Sequence, residues 1–502
     1  MEEQRTIIPA RMRLARLLED VPDEWLEVLV PLVIVVVGRL RRFQQRPVTP
    51  VATFRLERGL AGTLWEFGRR LVELAYNSIE PGDARLLPSR LRIGVDEYRR
   101  NRRTPRNLFC LFGPIQLWRV VYQAVQPGTP GLFPLEQALG IVRHLASPAL
   151  ADQVGRLIAE LTQQQTQAVL RERYGVSWSV KSLRKVTAAL AESLSPLRQE
   201  GQVGMLLDLL RQAFASVGKY LPSLVAGRDS VMVQTRPCWE EASTATVSVY
   251  DRRGRRLGTV YLGRMPELGQ ATITGQLADL LCAVLTAWEG PLPRLHYVTD
   301  AGNHPLEFYH RVLRPMCHPR TGKRLAWTWA VDYFHAAERI TKLAEVIFGA
   351  GREASAWAAK MRRVLKEKTG GVSRVLHRVG ALRQRRGLAG GKKDYEKAVN
   401  YLRRFARYMN YREYRRVALP IGSGVTEAAC KTIVNYRFKQ SAMRWHRDTG
   451  QHVLDLRVIL KSGIWQHVYQ ARLRSYTPCQ LATPASHESD SFVFPTSYRC
   501  AA

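Results

Sequence analysis

The chain has 502 residues, of which 46% are apolar and 9% aromatic, and its 76 Lys and Arg against 43 Asp and Glu give a formal net charge of +33. This composition excludes wholesale disorder, and the length predicts several domains, because single hydrophobic cores rarely grow beyond about 250–300 residues. The basic excess predicts a polyanionic partner, since each phosphate neutralised by Lys or Arg releases condensed counterions. A basic protein without a nucleic-acid role is the alternative.

Cysteine spacing and apolar runs exclude two further classes. The seven cysteines form no Cys-x-x-Cys pair, so we expect neither a zinc ribbon nor a disulfide framework. The most apolar run, residues 28–37, is far shorter than the roughly 20 residues of a membrane helix and predicts a buried core segment. The first residues lack the order of a secretory signal. We therefore expect a cytoplasmic, nucleoid-associated protein that does not enter a membrane.

The amino-terminal part is predicted to be a helical arm followed by short strands. Residues 1–84 carry apolar side chains at helical spacing. Residues 85–125 combine a run of arginines with alternating apolar positions, which is typical of strands. Basic strands suit contacts to a DNA backbone, and a solvated charged face explains them equally well.

Residues 85–200 are predicted to bind DNA ends through a helix-turn-helix. Helical patterns within residues 148–195 break at Gly175, after which Ser177 or Ser179 can cap a basic helix. In a helix-turn-helix the second helix enters the major groove, although two ordinary packed helices give the same pattern. The predicted DNA contacts on the second helix are Lys181, Arg184 and Lys185.

From residue 224 the apolar period changes from helical to alternating. Three strands are predicted near residues 231–233, 244–250 and 257–262, followed by a helix, a strand, a helix and a strand that ends at residue 331. This order is that of an RNase H-like fold, a mixed sheet flanked by helices. We therefore predict a multidomain α+β protein in which residues 224–335 form an RNase H-like mixed α/β catalytic core.

The rest of the chain is predicted to contain a helical insertion, a return to the core and a tail. Residues 336–416 are helical with glycine breaks, and residues 360–416 hold 19 Lys or Arg against 4 Asp or Glu. This insertion is expected to lie along DNA, with Arg383, Arg385 and Arg386 as contacts. Residues 417–470 are expected to complete the core, and residues 471–502 to form a flexible tail.

Three acidic residues have the placement that metal-dependent strand cleavage and joining require. Two divalent ions can activate the attacking oxygen and stabilise the leaving oxygen, and magnesium prefers carboxylate ligands. Asp229 is predicted at the head of the first strand, and Asp300 at the end of the fourth, its expected neighbour. Glu427 is predicted in the first turn of a helix, where the helix dipole favours a carboxylate. Singly, acidic residues at such positions are common.

Further polar residues flank these three. Asp332 and His335 lie three residues apart and would share a helix face, so the histidine can contact the scissile strand or orient a carboxylate; a capping aspartate with a core histidine is the alternative. The cations that follow the glutamate are predicted to hold phosphates. They are Lys431, Arg437, Lys439 and Arg444.

Two segments resemble known transposases. G-S-G-V-T-E-A-A-C-K at residues 422–431, continuing to M-R-W at 443–445, resembles the glutamate motif of the ISKra family of bacterial insertion-sequence transposases. V-D-Y-F-H-A at residues 331–336 resembles the D-x-x-H motif of the related Mutator-like transposases. The resemblance covers about residues 85–470.

The resemblance implies a DDE catalytic domain with a helical insertion before the glutamate. It implies that Asp229, Asp300 and Glu427 ligate two Mg²⁺ ions, for which Mn²⁺ can substitute, and that Asp332 and His335 are accessory. Asp208 is the alternative first ligand.

We therefore expect an insertion-sequence transposase that binds double-stranded DNA, both the terminal repeats of the element and the target, as a homodimer or higher oligomer. Two alternatives stay open. One is an inactive or repurposed sequence-specific DNA-binding protein, which has no need of acidic residues that repel phosphate. The other is a different RNase H-like nuclease or resolvase.

Overall fold

A computed structural model describes residues 18–19, 21–93, 95–389, 391–440 and 443–475 and the backbone of residues 491–494. The chain is a mixed α+β protein that divides into two compact units. The first unit comprises residues 1–157, 162–190 and 473–502, and the second comprises residues 158–161 and 191–472.

The first unit contains a four-stranded sheet and six helices among its described residues, and the last residues of two of these helices belong to the second unit. The elements are α1 Asp23–Gln44, α2 Pro50–Asn77, β1 Arg90–Ile93, β2 Asp96–Cys110, β3 Gly113–Ala124, α3 Pro134–Ala138, α4 Pro148–Glu160, α5 Gln163–Tyr174, α6 Val180–Leu194 and, last in the chain, β9 Ser491–Phe494. The sheet order is β3-β2-β1-β9, with β1 antiparallel to β2 and parallel to β9. The predicted strands are confirmed.

The predicted flexible tail, residues 471–502, is wrong in two places. Helix α18 of the second unit, Trp465–Ser475, continues into it, and residues Ser491–Phe494 form β9. The strand exists because β1 offers an edge on which β9 pairs in register over four residues. Residues 476–490 and 495–502 lie outside the described part of the chain, as do residues 1–17 of the predicted arm.

The described part of the arm is helical, but the apolar run in it is not buried. Residues 28–37 lie on α1, in which no residue is buried, and Val33 and Ile34 are 49% and 64% exposed. The prediction of a buried core segment is wrong because α1 packs chiefly on α2. Two helices side by side cannot enclose a core, so the remaining apolar side chains face outward.

The second unit contains a five-stranded sheet between helices. Its elements are α7 Arg198–Ala215, β4 Ser223–Gln234, β5 Trp239–Tyr250, β6 Arg256–Arg264, α8 Ala271–Ala287, β7 Arg294–Thr299, α9 Asn303–Phe308, β8 Trp327–Val331, α10 Tyr333–Phe348, α11 Arg352–Glu367, α12 Gly371–Arg386, α13 Lys392–Phe405, α14 Tyr411–Arg416, α15 Gly424–Ala429, α16 Tyr436–Phe438, α17 Arg447–Lys461 and α18. The sheet order is β6-β5-β4-β7-β8. Strands β4, β5 and β6 are antiparallel neighbours, whereas β7 and β8 run parallel to β4. The predicted order of strands and helices from residue 224 to 331 is confirmed.

The segment Leu268–Ala287, which includes α8, is long and apolar enough to cross a membrane by length and composition alone. In the second unit, however, Ile273, Leu277, Leu281 and Val284 of this helix are buried in the core cluster that also contains the strands. Its apolar character is therefore what a helix packed on a sheet requires.

Helices α10 to α14 form the predicted helical insertion between β8 and the segment that carries Glu427. The helices are interrupted at glycines, as predicted. Gly370 and Gly391 precede α12 and α13 and adopt the left-handed conformation, with φ of 63° and 68°. The helical segment that begins at Gly424 ends at Phe438, and helices α17 and α18 that follow it are separated at Gly463, whose φ is 74°.

Glu80 joins the end of α2 to the sheet of the first unit. Its side chain is buried, and its Oε2 accepts a hydrogen bond of 2.8 Å from the amide of Val120 on β3. Burial raises the pKa of Glu80 to about 7, against the opposing positive charges of Arg103 and Arg119. The folded protein therefore holds a proton on Glu80 more tightly than the unfolded chain does.

This preference predicts a pH-dependent stability difference for Glu80→Gln. The wild type loses stability as the pH rises from the unfolded pKa near 4.5 through the folded pKa near 7, and the neutral amide does not. A shift of this size amounts to ~2–3 kcal/mol. Thermal unfolding should show similar midpoints at pH 5 and a more stable variant at pH 8. A difference that is equal at both pH values would contradict the prediction.

Candidate active site

Three aspartates lie abreast at one end of the parallel strands. Gly227 of β4 pairs with Val298 of β7, and Val298 pairs with Ala330 of β8. Two residues further along the three strands come Asp229, Asp300 and Asp332. The strand pairing confirms that the first and fourth strands of this unit are neighbours. It corrects the position of Asp229, which lies in the middle of β4 and not at its head, because β4 begins at Ser223.

Strand alternation separates Asp229 from the arginine that precedes it. The buried side chain of Arg228 donates to Thr274 Oγ1 and Gln270 Oε1, both at 2.8 Å, on one face of the sheet. On the other face, Asp229 Oδ2 lies 3.4 Å from Cys430 Sγ. Successive side chains of a strand point to opposite faces, so Arg228 does not neutralise Asp229.

A glycine lets the helix that carries Glu427 approach this second face closely. Thr426 Oγ1 lies 2.9 Å from Thr246 Oγ1 on β5, which holds α15 against the sheet. A Cβ atom at Gly227 would lie 2.1 Å from Thr426 Oγ1, a distance at which atoms overlap. Because Gly227 is two residues before Asp229, it shares the face of Asp229. Sequence reasoning missed Gly227, whose only signal was a glycine inside a strand.

The three predicted ligands are close enough to interact. Burial raises the pKa of Asp229, and the negative charges of Asp300 and Glu427 raise it further. Among the described residues, no Lys or Arg forms an ion pair with Asp229, Asp300 or Glu427, although the chain carries a net charge of +33. Only His335, whose pKa Asp332 and Asp300 raise, acts as a cation on this cluster among the described interactions, and all three carboxylates offer the hard oxygen atoms that Mg²⁺ prefers.

Asp300 directly follows β7 and begins a constrained turn. Ala301 adopts a left-handed φ of 68°, which is uncommon for a residue with a Cβ atom, and the amide of Gly302 donates to Asp300 Oδ1 at 3.0 Å. Tyr401 of α13 donates to the backbone oxygen of Asp300 at 3.1 Å. Backbone outliers of this kind concentrate at functional sites, and here the turn orients the carboxylate.

Asp332 is a completely buried helix cap. Its Oδ1 accepts hydrogen bonds from the amides of Phe334 and His335, and its Oδ2 accepts them from the amide and the hydroxyl of Ser423. Burial opposes ionisation, but contacts with His335 and Ser423 prevail and lower the pKa of Asp332 to about 2. Asp332 in turn raises the pKa of His335 to about 9, with His335 Nδ1 lying 3.4 Å from Asp332 Oδ1.

Ser423 links Asp332 to Glu427. Its hydroxyl lies 2.7 Å from Asp332 Oδ2 and 2.9 Å from Glu427 Oε1, and its single proton can be donated to only one of them at a time. The ligand atoms of Asp332, His335 and Glu427 lie within 4.8 Å of one another, so this group can bind a metal ion. Sequence reasoning did not single out Ser423, although it stands between the two glycines that were noted before the helix.

Asp208, the alternative first ligand, lies outside this cluster. It is exposed on α7 and forms an ion pair of 2.5 Å with Arg211 one turn away. An exposed pair on one helix is an ordinary surface feature. The geometry therefore favours Asp229 over Asp208.

Helices α5 and α6 have the break and the cap that were predicted for residues 175–179. Helix α5 ends at Gly175 with a left-handed φ of 63°, and Ser179 Oγ accepts from the amide of Ser182 at 3.2 Å to cap α6. Five residues, 175–179, separate the two helices. The predicted contacts Lys181, Arg184 and Lys185 are all exposed on α6.

The remaining predicted DNA contacts divide into exposed and buried residues. Those that are exposed are Arg383, Arg385, Arg386, Lys431, Lys439 and Arg444. Arg386 pairs with Glu353 at 2.8 Å. Arg437 is the exception, because it is completely buried, donates to the backbone oxygen of Ile158 at 3.1 Å and lies 5.1 Å from the ring centre of Trp445.

The prediction that Arg437 holds a phosphate is therefore wrong for this structure. The helix turns Arg437 inward against Trp445, whereas Lys431 and Lys439 face outward. Burial lowers the pKa of Arg437 to about 10. A guanidinium with no exposed surface packs the core and cannot contact a DNA backbone.

The contact between Gly227 and Thr426 generates a prediction. Gly227→Ala should destabilise the second unit by about 1–3 kcal/mol, because the added methyl group overlaps Thr426 Oγ1. Adding Thr426→Ala should restore part of this loss by removing that oxygen. Urea unfolding of the two single variants and the double variant measures the coupling.

Gly275→Ala is the matched control, since this exposed glycine of α8 has open space around its Cβ position. It should not destabilise the protein, because alanine favours a helix more than glycine does. Purely additive effects at positions 227 and 426 would show that the close approach does not limit the packing of α15.

No known family adds to this description of the site. Neither a protein-family model nor a curated protein sequence matches the chain. Its function must therefore be inferred from the chemistry of the carboxylate cluster and its surroundings.

Proposed function

We propose that the protein is a DDE transposase of an insertion sequence, which cleaves DNA at element ends and joins those ends to target DNA. One observation carries the proposal: Asp229 and Asp300 from adjacent parallel strands and Glu427 from a helix on the same sheet interact electrostatically without a compensating Lys or Arg among the described residues. In a protein that only bound DNA, such a cluster would lower the affinity for DNA, because carboxylates repel phosphates.

The sheet supports an RNase H-like catalytic core. Its order, β6-β5-β4-β7-β8, combines three antiparallel strands with two strands parallel to the first. Helices α7 and α8 contribute to its core on one side, and α15 packs near Asp229. The insertion α10 to α14 leaves the core at Asp332 and returns before Glu427. Residues 224–335 and 417–470 would form the core around the insertion.

The donor set fits Mg²⁺, with Asp229, Asp300 and Glu427 as the residues that would hold two ions, and Mn²⁺ has the same preference for oxygen ligands. When bound, the ions would activate the attacking oxygen and stabilise the leaving oxygen. The chain's own contribution is orientation. The turn at Ala301 positions Asp300, and Ser423, held by Asp332, positions Glu427. His335, partly exposed beside Asp332, would contact the scissile strand, and its exposure supports this role.

The partner we propose is double-stranded DNA, both element ends and target. The exposed basic face of α6 supports recognition of the ends, and the exposed arginines at the end of α12 support contacts to the DNA backbone. Such an enzyme acts with the nucleoid in the cytoplasm. Pairing two ends requires a dimer or a higher oligomer.

Metal binding provides a test that does not depend on activity. Asp300→Asn should abolish tight Mn²⁺ binding in isothermal titration, because it replaces a charged ligand by a neutral one. Asp208→Asn is the matched control and should bind Mn²⁺ like the wild type, since Asp208 is exposed and paired elsewhere. The assigned ligands would be contradicted if both variants lost Mn²⁺ binding equally or if neither lost it.

The same variants test the reaction. With DNA that carries the flanking ends of its own locus and Mg²⁺, Asp300→Asn and Glu427→Gln should lose strand cleavage by orders of magnitude and retain end binding. Cleavage at the wild-type rate in either variant would overturn the assignment. Failure of the wild type to cleave, with intact end binding, would favour a repurposed DNA-binding protein.

End recognition is tested at Arg184. Bidentate arginine contacts to guanine discriminate by about 1–3 kcal/mol, so Arg184→Ala should reduce the preference for element ends over scrambled DNA roughly 5- to 150-fold. Arg173→Ala, an exposed arginine in the last turn of α5, is the control and should leave the preference unchanged. Competition binding with the full-length protein measures the preference of both variants for element ends. An equal loss of preference in the two variants would show that α6 does not read bases.

A further inference from the structure

A second basic surface lies in the second unit, away from the carboxylates. Residues 308–325 contain five Lys or Arg and no Asp or Glu. The segment begins at the end of α9 and stays helical to Leu313, after which it forms a hairpin-like loop. In this loop the amide of His318 donates to the backbone oxygen of Lys323 at 2.8 Å, and the backbones of Cys317 and Arg324 pair in an antiparallel β-bridge. Such a loop presents its cations on a fixed backbone.

Three arginines converge on this surface, and we call Arg314, Arg324 and Arg407 the arginine cluster. Arg324 Nε donates to the backbone oxygen of Arg314 at 3.0 Å, and the guanidinium of Arg407 lies 4.5 Å from the ring centre of Tyr408. The Tyr408 ring lies 5.6 Å from that of Tyr309. Two segments that are about 80–100 residues apart in the chain therefore meet here.

All three charges of the arginine cluster act on Tyr309, and those of Arg407 and Arg314 also act on His310. Burial raises the pKa of Tyr309, and the positive charges of Arg314, Arg407 and Arg324 oppose that rise. Burial and the charges of Arg407 and Arg314 lower the pKa of His310. Like charges so placed repel one another, which costs free energy unless an anion lies between them.

No carboxylate of the described residues relieves this repulsion. All three arginines are exposed, and none forms an ion pair with a described Asp or Glu. The acidic residues that lie nearest to the cluster in the sequence are paired elsewhere, Glu307 with Arg311 at 2.8 Å and Glu413 with Arg416 at 2.7 Å. The cluster therefore has both the charge and the accessibility to bind phosphate groups.

The position of the cluster suits a duplex that passes the carboxylates. Tyr309 contacts Trp327, the first residue of β8, through a hydrogen bond of 3.5 Å to its backbone oxygen. Asp332 follows the other end of β8, about 16 Å away at roughly 3.3 Å per residue. The phosphates of a duplex are spread over such a distance, so one duplex can contact both places.

We propose that the arginine cluster binds the backbone of the target duplex during strand transfer. Target DNA is arbitrary in sequence, and arginine contacts to phosphates carry no sequence information. The proposal rests on the proposed function, since only a strand-transfer enzyme needs a second duplex at its carboxylates.

The first test measures affinity for a labelled duplex of scrambled sequence at several salt concentrations, with full-length protein. Replacing all three arginines by alanine should make the slope of log affinity against log salt less negative by about 2–3, because each lost phosphate contact contributes about 0.9. Replacing them by lysine should preserve most of the slope. The matched control replaces Lys219, Arg255 and Arg256 by alanine, which removes equal charge from exposed positions near the β5–β6 turn.

The second test separates target from element end. With pre-cleaved ends and a target plasmid, the triple alanine variant should lose joining while its cleavage of uncut ends stays at the wild-type level. Loss of end cleavage and end binding would show that the cluster holds the element end, and the inference would be wrong. An equal slope change in the control variant would also overturn it.

The two proposals fail differently. If the wild type binds duplex DNA but neither cleaves nor joins ends, the proposed function is wrong, and with it the assignment to a target. If the wild type cleaves and joins ends and the triple alanine variant does the same with an unchanged slope, only the role of the arginine cluster is wrong.

Discussion

The buried carboxylate of Asp332 joins three segments that are distant in the sequence. It follows β8, caps α10 at the start of the insertion, and accepts hydrogen bonds from the amide and hydroxyl of Ser423, which precedes the Glu427 helix. A buried ionised group is stable only when its hydrogen-bonding capacity is filled, and here four donors fill it. The position of Glu427 relative to the sheet therefore depends on a residue 95 positions earlier.

The insertion is attached to the sheet at both ends. Tyr411 and Tyr414 of α14 donate to backbone oxygens of β8 at 2.9 and 3.0 Å. Beyond α14, the backbone oxygen of Pro420 lies 2.8 Å from Nε2 of the buried His296 on β7. Burial lowers the pKa of His296 to about 4, so its imidazole is neutral and Nε2 carries the proton that it donates. These contacts allow about 80 residues to be inserted without displacing the glutamate.

Charge in this protein has two separate uses. Most cations lie on the surface and give the excess that attracts a polyanion, but Arg228, Arg437 and Arg457 are buried and hydrogen-bonded inside the second unit. The carboxylates of Asp229, Asp300 and Glu427, in contrast, have no Lys or Arg of the described residues as an ion-pair partner, and the cationic group beside them is His335. A divalent cation is the chemical complement of such a site, and the basic surface is the complement of the DNA that we propose as the substrate.

The order of strands and helices from residue 224 to 331 and the breaks at Gly370 and Gly391 were determined by the sequence alone, because periodicity and glycine are local signals. The sequence also singled out Asp229, Asp300 and Glu427, but it placed Asp229 at the head of its strand, whereas β4 begins six residues earlier. Only the tertiary structure decided that Arg437 is buried, that Val33 and Ile34 of α1 are exposed, and that Gly227 makes room for Thr426. Burial depends on which distant segments pack together, and no local pattern records that. The same holds for the link from Asp332 through Ser423 to Glu427, since it requires strand register and helix packing to bring residues 332 and 423 into contact.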